Sequence, residues 1–136
     1  GCRNLLTKNI NWRNNMGYRS EVGLAVSAKA LPHLMAKLAG CEKARKMVFD
    51  EACVLDTDFR GAGALMVKWD DLKWYHTYEE ITCIENFMND MDHCSEGEHG
   101  DMDEHYRFCR IGENTDDVEE RGYFEGFDIV RSIQIY

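Results

Sequence analysis

The side chains best suited to bind a metal lie close together between Asp90 and His105. This stretch holds three histidines, one cysteine and seven carboxylates, and zinc and nickel accept imidazole and thiolate ligands. The candidate metal ligands are His93, Cys94, His99 and His105. Their spacing fits neither a zinc finger nor an HExxH helix, and a calcium loop beginning at Asp101 would lack its glycine and its final glutamate. We therefore interpret the stretch as a polar surface loop and predict that it binds no metal.

A second acidic group, Asp116–Glu120, contains carboxylates of the kind that hold Mg²⁺ for phosphoryl chemistry. A nuclease site also needs a lysine or histidine beside the carboxylates, and this turn has neither nearby in the sequence. Cys53 and His76 would act as nucleophile and base only if the fold brought them together. The sequence contains no phosphate-binding loop, GxSxG elbow or dinucleotide fingerprint. We predict a protein without enzymatic activity and without a cofactor. The alternative is metal binding, or a metal-dependent enzyme, at His93–His105 or Asp116–Glu120.

The acidic residues are concentrated in one part of the chain. Residues 1–78 hold 12 Lys and Arg against 8 Asp and Glu, a net charge of +4, whereas residues 79–128 hold 3 against 17, a net charge of −14. The whole chain carries −9. Such charge favours solubility, and it also speeds encounter with a basic partner and opposes direct binding to nucleic acid. The residues predicted to bind a basic partner are Asp101, Asp103, Glu104, Asp116, Asp117, Glu119 and Glu120.

These partner-binding residues fall in two loops, one before and one after a predicted strand. We therefore expect the two loops to behave as separate patches. Neutralising the second loop should slow association with the partner and change fold stability little. If the acidity serves only solubility, the same change should leave binding intact.

Four segments have the pattern of β-strands. They are Glu21–Ser27, Ala64–Trp69, Tyr106–Ile111 and Tyr123–Tyr136. The first two are mostly apolar, which is typical of strands inside a sheet. In Tyr123–Tyr136 apolar and polar residues alternate, which predicts one long strand with one buried face. Asp56–Gly63 is predicted to be a loop, and Asn114–Gly122 an acidic turn.

Three amphipathic helices are predicted between these strands: one from Leu31, one over Glu42–Ala52, and one after a capping box at Thr77–Glu80. The order of elements predicts an α+β fold, with a four-stranded, mainly antiparallel sheet and helices on one face, as in a ferredoxin-like sandwich. The predicted core consists of Val22, Leu24, Val26, Leu34, Leu38, Val67, Ile81, Ile84, Met88, Phe108, Ile129 and Ile133.

The aromatic residues Trp69, Trp74, Tyr75 and Tyr78 cluster near the capping box. Aromatic rings can stack on nucleic-acid bases, but no dense basic surround accompanies these four. Core packing, or an anchor in a protein interface, is the favoured interpretation.

The chain is predicted to hold one domain, residues 16–136, preceded by a segment that does not belong to it. The codons of Trp12–Asn15 can spell GGAGG shortly before the codon of Met16, as a bacterial ribosome-binding site would. Residues 1–15 are therefore interpreted as a translated leader or a remnant of cloning. The six cysteines show no paired spacing, which favours reduced thiols and a cytoplasmic protein. The oligomeric state is left open.

Short motifs give a resemblance that covers residues 16 to about 130. They are Met16-Gly17-Tyr18-Arg19-Ser20-Glu21-Val22, Lys73-Trp74-Tyr75, and Arg110-Ile111-Gly112-Glu113 followed by Asp116-Asp117-Val118-Glu119. Through them the chain resembles a group of small, uncharacterised phage and prophage proteins that open with MGYRS(D/E)V. The resemblance implies no established activity.

Small acidic phage proteins of this size are often directed against the host, and they include anti-CRISPR and other anti-defence factors. The resemblance thus implies an inhibitor that acts in the bacterial cytoplasm on a host protein with a basic, nucleic-acid-binding surface, without contacting nucleic acid or membrane itself. A structural or housekeeping phage protein, acidic only for solubility, is a further alternative.

Overall fold

A computed structural model describes residues 17–94, 102–129 and 132–136. The predicted leader lies outside the described residues. In chain order the elements are β1 (Ser20–Val26), α1 (Leu31–Ala39), α2 (Glu42–Phe49), β2 (Val54–Phe59), β3 (Ala64–Leu72), α3 (Glu79–His93), a 3₁₀ turn (Met102–His105), β4 (Tyr106–Ile111), β5 (Val118–Gly122), β6 (Phe127–Ile129) and β7 (Ile133–Ile135). Within these ranges, each helix is too short or too polar to cross a membrane.

Strand β1 lies at the centre of a five-stranded antiparallel sheet in the order β2-β3-β1-β4-β5. Its Leu24 lies opposite Val67 of β3 on one side and Phe108 of β4 on the other. The run from Val22 to Val26 is buried throughout, which explains why its sequence is apolar without alternation. The predicted α+β class with an antiparallel sheet is confirmed.

The three helices pack on the face of the sheet that carries Val22, Leu24 and Val26. Helix α3 contributes Ile81, Ile84 and other apolar side chains at helical spacing, all buried in the same core as the β1 residues. Every predicted core residue is buried except Ile129, which is half-buried.

A hairpin formed by β6 and β7 covers the opposite face of the sheet. Phe127 lies over Gly23 of β1 so closely that a Cβ at this glycine would come within 3.1 Å of the ring. The backbone N–H of Ile133 donates a hydrogen bond of 3.1 Å to Glu21 on β1. The sheet is therefore covered on both faces, by helices on one and by the C-terminal hairpin on the other.

The predicted long final strand is wrong, because the chain reverses between Ile129 and Ile133. Phe127 pairs with Ile135, and Ile129 pairs with Ile133. Directly paired residues lie on the same face of a hairpin, so the alternation along the sequence is the same for one long strand and for two short ones. Periodicity alone does not distinguish the two arrangements.

The predicted number of strands in the sheet is also wrong, since both edge strands were missed. Strand β2 occupies part of the predicted loop Asp56–Gly63, and β5 occupies part of the predicted turn Asn114–Gly122. Most residues of these two strands are exposed or half-buried. Edge strands face solvent, so their polar sequences, VLDTDF and VEERG, lack the apolar pattern on which strand prediction relies.

Helix α3 begins at Glu79, one residue after the start that a capping box at Thr77 predicts, so the predicted box is wrong. The residue at the cap is Tyr78, and its side chain forms no capping hydrogen bond within the described residues. The chain stays extended for one residue longer than the motif requires. A nearby threonine, Thr82, instead donates its hydroxyl to the carbonyl of His76 at 2.9 Å.

The Ile84→Ala variant tests the core beneath α3. Because Ile84 is fully buried, removing its side chain should lower the free energy of unfolding by about 2–5 kcal/mol. Urea denaturation of the variant and wild type measures this difference. Asn86→Ala, at an exposed position of the same helix, is the control and should change stability by less than about 0.5 kcal/mol. Equal effects of the two substitutions would contradict the assigned helical face.

Candidate partner-binding site

Arg110 on β4 holds two of the carboxylates predicted to bind a partner. Its guanidinium donates to both carboxylate oxygens of Asp117, at 2.8 and 3.1 Å, and to Glu119 at 3.1 Å. Glu119 lies directly opposite Arg110 in the β4–β5 pairing. The side chain of Arg110 is only 15% exposed, so these charge-assisted bonds compensate a largely buried cation.

The carboxylate of Asp117 also connects the segment before β1 to the β4–β5 turn. The hydroxyl of Tyr18 donates to Asp117 at 2.6 Å, and the backbone N–H of Asn114 donates to the Tyr18 oxygen at 3.0 Å. Gly112 is required here, because a Cβ at this position would overlap the Asp117 and Tyr18 side chains. Hydrogen bonds from Arg110 and then Tyr18 lower the pKa of Asp117 to about 2.

Two other arginines neutralise acids near the sheet edge. Arg107 of β4 lies 3.3 Å from Glu120 of β5. Arg121 of β5 lies 2.7 Å from Asp92 of α3, which also accepts the hydroxyl of Tyr106 at 2.6 Å. Asp117, Glu119 and Glu120 are thus each paired within the fold, and their charge is partly compensated before any partner arrives.

The remaining predicted residues do not join them in one patch. Glu104 is exposed just before β4, whereas Asp116 is exposed beyond its other end. Asp103 is half-buried, and its carbonyl accepts the backbone N–H of Tyr123 at 2.9 Å. Asp101 lies outside the described residues. The six residues of β4 separate Glu104 from Asp116 by about 20 Å along the strand.

The candidate metal ligands are not assembled in the described part of the chain, where no three His, Cys, Asp or Glu side chains lie together as a metal would require. His105 is engaged through its Nδ1 with the hydroxyl of Ser27, 3.0 Å away. His99 lies outside the described residues.

A cleft of about 320 Å³ lies between the end of α2, the end of β3 and the start of α3, and its mixed acidic, apolar and aromatic lining makes it a candidate site. Its lining includes Met47, Trp69, Leu72 and Tyr78, together with the carboxylates Glu51 and Glu80. Trp69 is 2% exposed, and its indole N–H donates to the Met47 carbonyl at 2.9 Å. This bond joins the indole to the end of α2, next to the cleft.

The charges around the cleft are mainly negative. Its lining contains four carboxylates and two cations, Arg19 and Lys73. Two of the carboxylates are already paired, Asp70 with Lys68 at 2.9 Å and Asp71 with Arg19 at 3.6 Å. The pairing with Lys68 lowers the pKa of Asp70. Among the described residues, the other two carboxylates form no ion pair.

Sequence reasoning found part of this cleft and missed the rest. The aromatic cluster includes Trp69 and Tyr78, which line the cleft, but Trp74 is buried in the core, with its ring centre 5.0 Å from that of Phe108. Glu51 and Glu80 were missed, because Glu51 follows the end of α2, Glu80 lies in α3, and the two share no motif. Only the packing of α2 against α3 brings them to one opening.

No protein-family model, no curated protein and no solved structure matches the chain. The geometry of the cleft and the charge distribution are therefore what support a function.

Replacing Asp117 with Asn should lower stability in a pH-dependent way. The pKa of Asp117 in the folded protein is about 2, below its usual value near 4, so the ionised carboxylate contributes stability above about pH 4. This contribution is lost as the pH falls toward 2. Urea denaturation of wild type and Asp117→Asn should therefore show a difference that is largest at pH 7 and shrinks between about pH 5 and pH 2.

Asp116→Asn is the matched control, because Asp116 is exposed and forms no ion pair among the described residues. It should leave the urea midpoint unchanged at every pH. This result would also correct the expectation that neutralising the β4–β5 turn spares stability, since the turn contains the partners of Arg110. Equal effects of the two substitutions would show that Arg110 does not depend on Asp117.

Proposed function

We propose that the protein binds and inhibits a basic, nucleic-acid-handling host protein by holding one of its arginine or lysine side chains in the cleft. The observation that carries this proposal is the pair of carboxylates, Glu51 and Glu80, without ion-pair partners among the described residues, beside an apolar and aromatic lining. The function is binding, and it requires no catalytic group.

The chemistry of the cleft suits a long cationic side chain. Arginine and lysine pack their methylene stems along apolar surface while the charged head stays among polar groups. Leu72, which is half-buried, offers such a surface, and the exposed ring of Tyr78 adds an aromatic face that attracts cations. A guanidinium seated there would donate charge-assisted hydrogen bonds to Glu51 or Glu80, which are about twice as strong as neutral ones.

The rest of the acidic surface would assist encounter. Glu104 and Asp116 are exposed, and the net charge of −9 attracts a basic partner while it repels nucleic acid. Occupying a basic surface in place of nucleic acid would inhibit a nucleic-acid-handling protein. The motif resemblance to phage proteins supports a host defence component, of CRISPR type, as the target, and the bacterial cytoplasm as the site of action.

We also propose that the domain is a ferredoxin-like sandwich with added elements. The order β2-β3-β1-β4, with helices inserted after β1 and after β3, supports this assignment, because the βαββαβ fold has the same order. Strand β5 and the β6–β7 hairpin would then be additions at one edge and on the open face. The cleft lies on the helical side, where neither addition contributes to its lining.

A short arginine-rich peptide tests the cleft directly. In isotope-labelled protein, the indole N–H resonance of Trp69 should shift as the peptide is added. The same peptide with citrulline, which keeps the shape of arginine without its charge, should not shift it. The double variant Glu51→Gln/Glu80→Gln should bind at least about tenfold more weakly, because hydrogen bonds to charged groups contribute about 1.5–3 kcal/mol each.

The matched control is Glu104→Gln/Asp116→Asn, which removes the same two charges outside the cleft. It should keep the Trp69 shift and lose only about twofold in affinity, since exposed charges mainly affect the rate of encounter. If both double variants weaken binding equally, the peptide is held by general charge attraction, and the cleft is not the binding site.

The same variants test the proposed partner class. Immobilised wild type, incubated with nuclease-treated bacterial lysate, should retain a nucleic-acid-binding protein that added duplex DNA releases. The Glu104→Gln/Asp116→Asn control should retain it too, and the cleft variant should not. The proposal would be contradicted if the cleft variant retained the same protein as wild type, or if added DNA did not release it.

A further inference from the structure

Two cysteines that are distant in the sequence lie together at the helical side of the domain. Cys41 precedes the first residue of α2, and Cys83 belongs to the second turn of α3. Both line a groove of about 550 Å³, whose other walls come from the end of α1 and the start of α3. The Cys83 thiol donates to the carbonyl of Lys37 at 3.5 Å, and Lys37 lies four residues before Cys41.

We propose that Cys41 and Cys83 form an oxidisable dithiol, which closes to an intramolecular disulfide between the start of α2 and helix α3. Both side chains line the same groove, and the Cys83 thiol contacts the carbonyl of Lys37, four residues before Cys41, so rotation of the side chains can bring the two sulfurs together. The groove gives a small oxidant access to both. This modification site is independent of the proposed cleft function.

The reaction balances with a peroxide as oxidant. The Cys41 thiolate attacks one oxygen of hydrogen peroxide, the O–O bond breaks, and the leaving hydroxide takes a proton to become water. The product is Cys41 sulfenic acid. The Cys83 sulfur then attacks the Cys41 sulfur, the S–O bond breaks, and the hydroxide leaves as water with the proton of the Cys83 thiol. Two thiols have lost two electrons and two protons, and the peroxide has become two waters.

The difference in burial between the two cysteines indicates that Cys41 reacts with peroxide first. Cys41 is half-buried at the groove, whereas Cys83 is buried. Burial, followed by the neighbouring Cys41, raises the pKa of the Cys83 thiol to about 11, so this thiol stays protonated near neutral pH and reacts poorly with peroxide directly. Cys83 therefore takes the second role, in which its position beside Cys41 in the groove compensates for its low acidity.

Treatment of the dilute full-length protein with hydrogen peroxide, followed by peptide mapping, tests the proposal. The expected product is a pair of peptides linked through Cys41 and Cys83, with a mass two units below the sum of the two separate peptides. Dithiothreitol should reduce this product back to the two separate peptides. The disulfide would close the loop between residues 41 and 83, so the melting temperature of the oxidised protein should be several degrees higher than that of the reduced protein. Dithiothreitol should reverse the rise.

Two variants make the outcome decisive. Cys41→Ala should abolish both the linked peptide and the rise in melting temperature, whereas Cys53→Ser, at an exposed cysteine, should keep both. Separate sulfinic acids on Cys41 or Cys83 would overturn the proposal. A disulfide that instead involves Cys53, Cys94 or another chain would overturn it too.

Discussion

Burial of β1 on both faces is the constraint on which the rest of the architecture depends. A strand with neighbours on both sides and apolar residues on both faces must be covered twice. The helices cover Leu24 and the residues on its side, and the β6–β7 hairpin covers Gly23 and Ala25. Gly23 allows this second layer to approach closely, because it leaves space for the Phe127 ring. Without the hairpin, that face of the central strand would be open to water.

The high negative charge of the second half of the chain is tolerated because three arginines are distributed through it. Arg107 and Arg110 on β4 and Arg121 on β5 each pair with a carboxylate from a neighbouring element. Cross-strand pairing places opposite charges on the same face, so edge strand β5 is attached by ion pairs as well as by backbone hydrogen bonds. These carboxylates therefore have a structural role in the domain.

The carboxylates on this acidic surface are not equally available to bind a partner. Carboxylates that already hold an arginine would have to give up that bond, and exposed single acids such as Glu104 attract cations over distance without fixing their orientation. The cleft combines carboxylates without ion-pair partners in the described chain with aromatic and apolar residues in its lining. This combination orients a cationic side chain, which is why the proposed function rests on the cleft.

The sequence by itself determined the elements whose burial is a local property. The spacing of Ile81, Ile84 and Met88 placed α3 and its buried face correctly, and the unbroken apolar run of β1 indicated a central strand. Tertiary structure alone decided the edge strands, the reversal between Ile129 and Ile133, and the meeting of Glu51 with Glu80 at one opening. The physical reason is that side-chain periodicity records which face of a segment is buried. Strand pairing, ion pairs and clefts arise between segments, and no single segment encodes them.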